Sequence, residues 1–286
     1  MALQAPHCLL MGPAGSGKTT SLATFARKGV ECFVIVTEPT GVDSLLDAWD
    51  REKLPIDLLH YAVIPPASPG WDGLKDMGVK INAMSYKDLS ELKSGVGKEK
   101  MKQYPLLVHN MENFLDERTG TNYGDITTWG PDRMLAMDSL SGLSLIALQH
   151  TVGFKPSPHQ GEWGIAMSAV ENLVLKLSSD CKCFFVLISH VEREPDELTG
   201  ATKVSVSTLG RKLAPKIPRF FSEVIRARKD PTGKFLWATV DTESDLKNRA
   251  LPTGNAIAAD FGPVIDAYRR RAQVASPAIF AGAAAN

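Results

Sequence analysis

The chain has 286 residues, longer than one average domain but within reach of a single large α/β core with insertions. Its 32 basic and 32 acidic residues cancel, which excludes a global field drawing it to nucleic acid or membrane and leaves only local patches for such contacts. No stretch approaches a membrane span. The start, MALQAPHCLLMGPAGSGKTT, lacks a signal-peptide pattern, and the four cysteines (Cys8, Cys32, Cys181, Cys183) are too sparse for a disulfide scaffold, so the chain reads as cytoplasmic with buried free thiols.

In chain order, His7–Met11 is a short apolar run ending in Gly-Pro, which predicts a buried strand feeding a loop. A helical pattern covers 19–27 and stops at Gly29. Residues 32–37 (CFVIVT) form a second buried strand, 42–49 a helix and 58–64 a third strand. This alternation predicts a mostly parallel central sheet with crossover helices on its faces. From 65 to 131 the pattern loosens into an irregular insertion with one helix candidate at 85–92. Residues 134–137 make the next core strand, ending at Asp138. An amphipathic helix at 163–177 and a buried strand at 183–189 follow. Apolar stretches at 222–228 and 234–240 flank Asp230-Pro-Thr-Gly233, a β-hairpin signal that extends one side of the sheet. The last residues, 266–286, read as a helix end and a flexible tail, SPAIFAGAAAN.

The strongest chemical signal is Gly12-Pro13-Ala14-Gly15-Ser16-Gly17-Lys18-Thr19, followed by Thr20, which fits G-x-x-x-x-G-K-[ST] without a mismatch. Glycines let successive N–H groups turn onto phosphate oxygens, and the helix N-terminus adds partial positive charge. Lys18 suits the β- and γ-phosphates, and the Thr19 hydroxyl suits Mg²⁺. The motif implies ATP and Mg²⁺ as ligands. Asp138, ending an apolar strand, is the candidate second metal-holding residue, the alternative being a cap on the next helix. Ser139 stands where many P-loop ATPases carry a glutamate. The candidate base or water-positioner is instead Glu38, which ends the strand predicted to lie close to the P-loop strand; the alternative is an exposed loop acid before Pro39. His190 ends the 183–189 strand at the same sheet edge, as a γ-phosphate sensor or a partly exposed strand-end histidine.

Glutamate after the second strand, Asp-Ser after the metal strand and a polar residue ending the next strand together resemble the RecA-type recombinase ATPases. The wording of TTWGPDRMLAMDSLSGLS, GEWGIAMSAVENL, FFVLISHVERE, STLGRKLAPKIPRFFSEVIRARK and DLKNRALP is similar to phage-encoded RecA-core ATPases associated with single-strand annealing and recombination. The resemblance implies one RecA-like domain over 1–265 that hydrolyses ATP, stimulated by single-stranded DNA, and self-associates with ATP at the subunit interface. A single-strand-binding protein is a further implied partner. The loops at about 150–163 and 192–212 would approach DNA, with Lys203, Arg211 and Lys212 pairing with phosphates and Trp163 offering a stacking face. Lys247 and Arg249 are similar to the basic pair that such subunits insert into a neighbour's site. The chain departs from RecA in its long insertion and in showing no separate C-terminal DNA-binding domain. A DNA motor or helicase loader, and a nucleotide-gated scaffold with slow hydrolysis, are the alternative readings.

Overall fold

Residues 3–195 and 202–275 are described by the computed structural model. The apolar runs read as strands do lie side by side. In chain order the elements are β1 (His7–Met11), α1 (Lys18–Ser21), α2 (Ala23–Ala26), β2 (Glu31–Val36), α3 (Gly41–Glu52) and β3 (Leu59–Val63). Next come α4 (Trp71–Ala83), α5 (Tyr86–Glu91), α6 (Gln103–Glu112), β4 (Arg133–Asp138), α7 (Leu140–Val152) and α8 (Gln160–Asp180). The chain continues through β5 (Phe184–Ser189), β6 (Val191–Pro195), β7 (Thr202–Val206), α9 (Gly210–Leu213), β8 (Glu223–Lys229), β9 (Phe235–Ala238), β10 (Ile257–Ala258) and α10 (Gly262–Ala275).

The main sheet has the order β10-β9-β8-β1-β5-β4-β2-β3, in which β3, β2, β4, β5, β1 and β8 are parallel and β9 and β10 are antiparallel additions. Period-2 alternation sends Leu9, Met11, Phe33, Ile35, Leu135, Met137, Phe185 and Leu187 to one face, against α7 and α8. Cys8, Leu10, Cys32, Val34, Met134, Ala136, Val186 and Ile188 go to the other, against α2, α3 and α10. Because both faces are covered, these strands read as continuous apolar runs rather than alternating ones. A mostly parallel sheet lies between two helical layers, with β5 inserted between β1 and β4, which is the α/β architecture expected from the sequence. All four cysteines are buried and free. No helix among the described residues is long and apolar enough to cross a membrane.

The predicted hairpin forms: β8 and β9 pair from Arg226↔Ala238 to Lys229↔Phe235. Asp230 Oδ1 closes the turn by accepting from Thr232 N and Lys234 N. The 65–131 segment is more ordered than its sequence suggests, since α4 and α6 appear beside the expected α5. Helix α4 buries no residue, so it never needed an apolar stripe that a period search could detect. Helix α6 holds Pro105 in its first turn, where the missing N–H has no intrahelical partner anyway. The polar stretch after β5 also folds, as an antiparallel β6–β7 ribbon whose connection, 196–201, lies outside the described residues, as does the 276–286 tail.

Candidate functional site

The P-loop leaves β1 and turns into α1 through Gly15 and Gly17, at φ +70° and +79°. Gly17 is required twice over: a side chain would be strained at that φ, and its Cβ would fall 2.4 Å from Phe235 Cγ. Gly12 is equally constrained, because a Cβ there would meet the Ala227 carbonyl oxygen at 2.6 Å. The Ser16 hydroxyl donates to Pro13 O at 2.8 Å, and the Lys18 ammonium donates to Gly12 O at 2.9 Å and Pro13 O at 2.8 Å. Lys18 is buried, and burial lowers its pKa against the upward pull of Asp138 and Glu38. A desolvated cation resting on carbonyls gains by moving onto phosphate oxygens, which fits the loop to a polyphosphate.

Asp138 ends β4, and strand β5 lies between β4 and the P-loop strand. Thr19 Oγ1 donates to Asp138 Oδ2 at 2.6 Å, so the two predicted metal-holding residues touch. Their donors are all oxygen, the set a hard divalent cation such as Mg²⁺ prefers. Burial pushes Asp138 up to about 6, against the Thr19 hydrogen bond and the Lys18 charge that pull it down. Between the ordinary value of 3.8 and about 6 the folded state holds more protons than the unfolded one. Stability from this group therefore falls as pH rises through that window, and the full penalty stands at pH 7. Asp138→Asn in metal-free protein is expected to raise stability at pH 7 by on the order of 1–2 kcal/mol, while losing stabilisation by added Mg²⁺. Thermal unfolding with and without Mg²⁺ checks this, and an unchanged or lower midpoint without metal would count against it.

Glu38 follows β2, which is not adjacent to β1: β4 and β5 intervene, a spacing of roughly 5 Å per strand. The expected proximity is restored by side chains reaching across the strand ends. Thr37 Oγ1 accepts from Ser139 N at 2.7 Å and donates to Ser139 O at 3.1 Å, tying the ends of β2 and β4 together. Ser139 Oγ then donates to Glu38 Oε1 at 2.6 Å, and His190 Nε2, just past β5, donates to the same oxygen at 2.8 Å. The His190 hydrogen bond, helped by Ser139 and Lys18 against partial burial, holds Glu38 down at about 2. Ser139 and Thr37 were not singled out as site residues in the sequence. The serine in place of the usual glutamate was the available signal, because a hydroxyl there can hold a carboxylate arriving from the neighbouring strand.

The remaining candidates divide. Trp163 of α8 lies with Met167, Arg211, Lys212 and Lys216 along a groove of about 750 Å³ beside α9. Lys203 stands apart on β7, in a second cavity that it shares with Arg211. Several of these cations have carboxylate partners: Arg211 with Glu194 at 3.2 Å, Lys203 with Asp245 at 3.7 Å and Lys216 with Glu171 at 2.7 Å. Lys247 and Arg249 are exposed at the amino ends of the strands, away from the P-loop of their own chain. Lys247 Nζ donates to Phe221 O at 3.0 Å, and Arg249 N donates to Glu223 Oε2 at 3.0 Å. A cleft of about 780 Å³ next to Pro13 carries Arg226 and Arg228, both paired with Asp241, a cluster that only the hairpin fold assembles.

No family model and no curated protein matches the chain. Among solved structures the chain is similar to the RadB recombinase, with 13% identity and a TM-score of 0.43 over 88% of this chain and 86% of that one. It is also similar to a prototypical ATPase from the type III secretion system of pathogenic bacteria, with 13% identity and a TM-score of 0.38. That likeness covers 79% of this chain and 52% of the other, so the chain spans about half the length of the secretion ATPase. Likenesses this remote decide neither substrate nor partner.

Proposed function

We propose that the protein is a Mg²⁺-dependent ATPase with a RecA-like core, acting on single-stranded DNA in recombination, repair or replication. The observation that carries the hydrolytic part is the convergence at one sheet edge of Lys18, the Thr19–Asp138 pair and the Glu38 carboxylate held by Ser139 and His190. Lys18 would leave the Gly12 and Pro13 carbonyls for the β- and γ-phosphate oxygens. Thr19 and Asp138 would hold Mg²⁺, which supplies charge neutralisation across those oxygens when bound. Held at about 2, Glu38 is too weak a base to keep a proton at neutral pH; its role is to orient the attacking water by accepting its hydrogen bond. His190 and Ser139 keep that carboxylate aimed, and its link to His190 ties it to the start of the β6–β7 ribbon.

The DNA part rests on the Trp163–Arg211–Lys212 groove, which pairs an aromatic ring with cations on one surface. Head-to-tail self-association would bring Lys247 and Arg249 of one subunit to the P-loop edge of the next, which suits their position at the opposite end of the sheet. A single-strand-binding protein would be a natural companion on the same DNA. Steady-state hydrolysis with and without single-stranded DNA, at low and moderate salt, tests the reading. Stimulation of about tenfold that fades as salt rises is expected, since neutralised phosphates release counterions. Hydrolysis indifferent to DNA would remove the DNA role and leave the ATPase. The carboxylates already paired with Lys203, Arg211 and Lys216 favour, as the second reading, a motor, loader or nucleotide-gated scaffold with a partner other than single-stranded DNA, which that outcome would select.

A further inference from the structure

The insertion between β3 and β4 carries a polar run, GVGKEKMK, that no part of the ATP site uses. Lys93, Lys98, Lys100 and Lys102 stand there against one acid, Glu99, in a chain that is neutral as a whole. All four lysines are exposed, and none makes an ion pair among the described residues. The cations at the Trp163 groove and the cavity beside it differ in this respect, since Lys203, Arg211 and Lys216 each have a carboxylate partner. The apolar side chains of the run turn inward, with Met101 buried and Val96 half-buried. This surface offers cations without an apolar anchor, which suits a phosphate backbone better than a bilayer.

The backbone of the run is held in place, which lowers the ordering cost of binding. Gly95 N donates to Val152 O at 2.7 Å and Phe154 N donates to Val96 O at 3.1 Å, an antiparallel bridge to the loop that leaves α7. Gly97, at φ +71°, opens a single 3₁₀ turn in which Lys100 N donates to Gly97 O and Met101 N donates to Lys98 O. Gly153 receives that turn so closely that a Cβ there would lie 2.9 Å from Lys98 Cα. Farther along the loop, the buried Lys155 ammonium donates to both oxygens of Glu162. Two residues beyond Lys102, the Tyr104 ring stacks on the exposed His150 ring at 5.3 Å and 17°, and Tyr104 Oη donates to Ala169 O at 3.1 Å. An exposed ring fixed in this way is a stacking face for an unpaired base. The same loop reaches the Trp163 groove, which Pro158 lines. Phe154 and Pro158 are separated by at most about 14 Å of chain, so the lysine run and the groove lie at the two ends of one short loop.

We propose that Lys93, Lys98, Lys100 and Lys102 form a backbone-binding surface for single-stranded DNA, carrying the strand from the Trp163 groove onto the insertion. The proposal rests on the single-stranded DNA reading above, and the experiment separates the two. Binding of a fluorescein-labelled oligothymidylate of about 30 nucleotides is followed by anisotropy across a salt series. Three proteins are compared: the wild type, a variant combining Lys93→Ala, Lys98→Ala, Lys100→Ala and Lys102→Ala, and one with the same four lysines changed to arginine. The alanine variant is expected to bind about tenfold or more weakly at low salt. Its plot of log affinity against log salt should be shallower by about 2–3, since each phosphate neutralised on a single strand contributes about 0.7. The arginine variant keeps the charges and should keep both the affinity and the slope. Hydrolysis without DNA should be the same in all three, because the lysines lie outside the ATP site. Wild-type affinity and slope in the alanine variant would overturn the lysine surface and leave the DNA reading standing. An equal loss in the arginine variant would trace the effect to packing rather than charge, and would overturn it as well. A wild type that binds no single strand would overturn the DNA reading itself and the surface with it.

Discussion

Lys18→Ala is expected to lower the hydrolysis rate by about 10³-fold or more while leaving the fold intact. The two halves of this expectation have separate physical origins. The ammonium is the buried cation of the P-loop, aimed across its mouth by the Gly12 and Pro13 carbonyls. Removing it leaves the charge that develops on the transferred phosphoryl group without its closest protein counter-charge. Burial already disfavours the charged form, so the folded state loses little when the charge is deleted. The two carbonyls it leaves behind line an open loop and can hydrogen-bond to water. A thermal midpoint within a few degrees of wild type, alongside hydrolysis at background, is the expected pair of readings. Wild-type turnover in this variant would remove the P-loop from the mechanism.

Glu38→Gln is expected to keep nucleotide affinity within a few-fold and to lower kcat by about 10²–10³-fold. The substitution preserves shape, and its carbonyl oxygen can still accept from Ser139 and His190. What it removes is the full negative charge that, on the proposed mechanism, would face the attacking water. Because the folded carboxyl sits at about 2, below its ordinary 4.5, the folded state binds fewer protons than the unfolded one between those values. Its contribution to stability is complete above 4.5 and is lost as pH falls through about 2. The rate near neutrality should therefore show no inflection from Glu38 itself. A single-turnover comparison of the two proteins from pH 6 to 8 measures this, and an equal rate for Glu38→Gln would exclude the carboxylate from catalysis.

Much of the core was legible because its strands are buried on both faces. The runs ending at Met11, Val36, Asp138 and Ser189 carry little besides apolar residues, and burial on two faces demands that composition. The P-loop was legible for a different reason: Gly15 and Gly17 are imposed locally, by the positive φ their turn requires. Helices α4 and α6 were not legible. The first packs no side chain into the body, and the second begins with a proline that reads as a breaker when its position in the turn is unknown. The β6–β7 ribbon was hidden because its residues are largely polar and its pairing is with itself rather than with the core.

The amino-acid sequence by itself determined that a glycine-rich loop of the phosphate-binding pattern joins a buried strand to a helix, and that Asp138, Glu38 and His190 stand at or just past the ends of strands of the same sheet. Those properties follow from local backbone needs and from burial, which leave their mark residue by residue. Only the tertiary structure decided how these groups meet. Strand order separates β2 from β1 by two strands, and Glu38 nevertheless joins the site because Thr37 and Ser139 pin the strand ends together and His190 reaches across from β5. It also decided that Trp163, Arg211 and Lys212 line one groove while Lys203 lines another with Arg211, and that Phe235 and Ala258 face the same groove as Thr20. Such encounters depend on contacts between residues tens to hundreds of positions apart, and no period or motif along the chain encodes them.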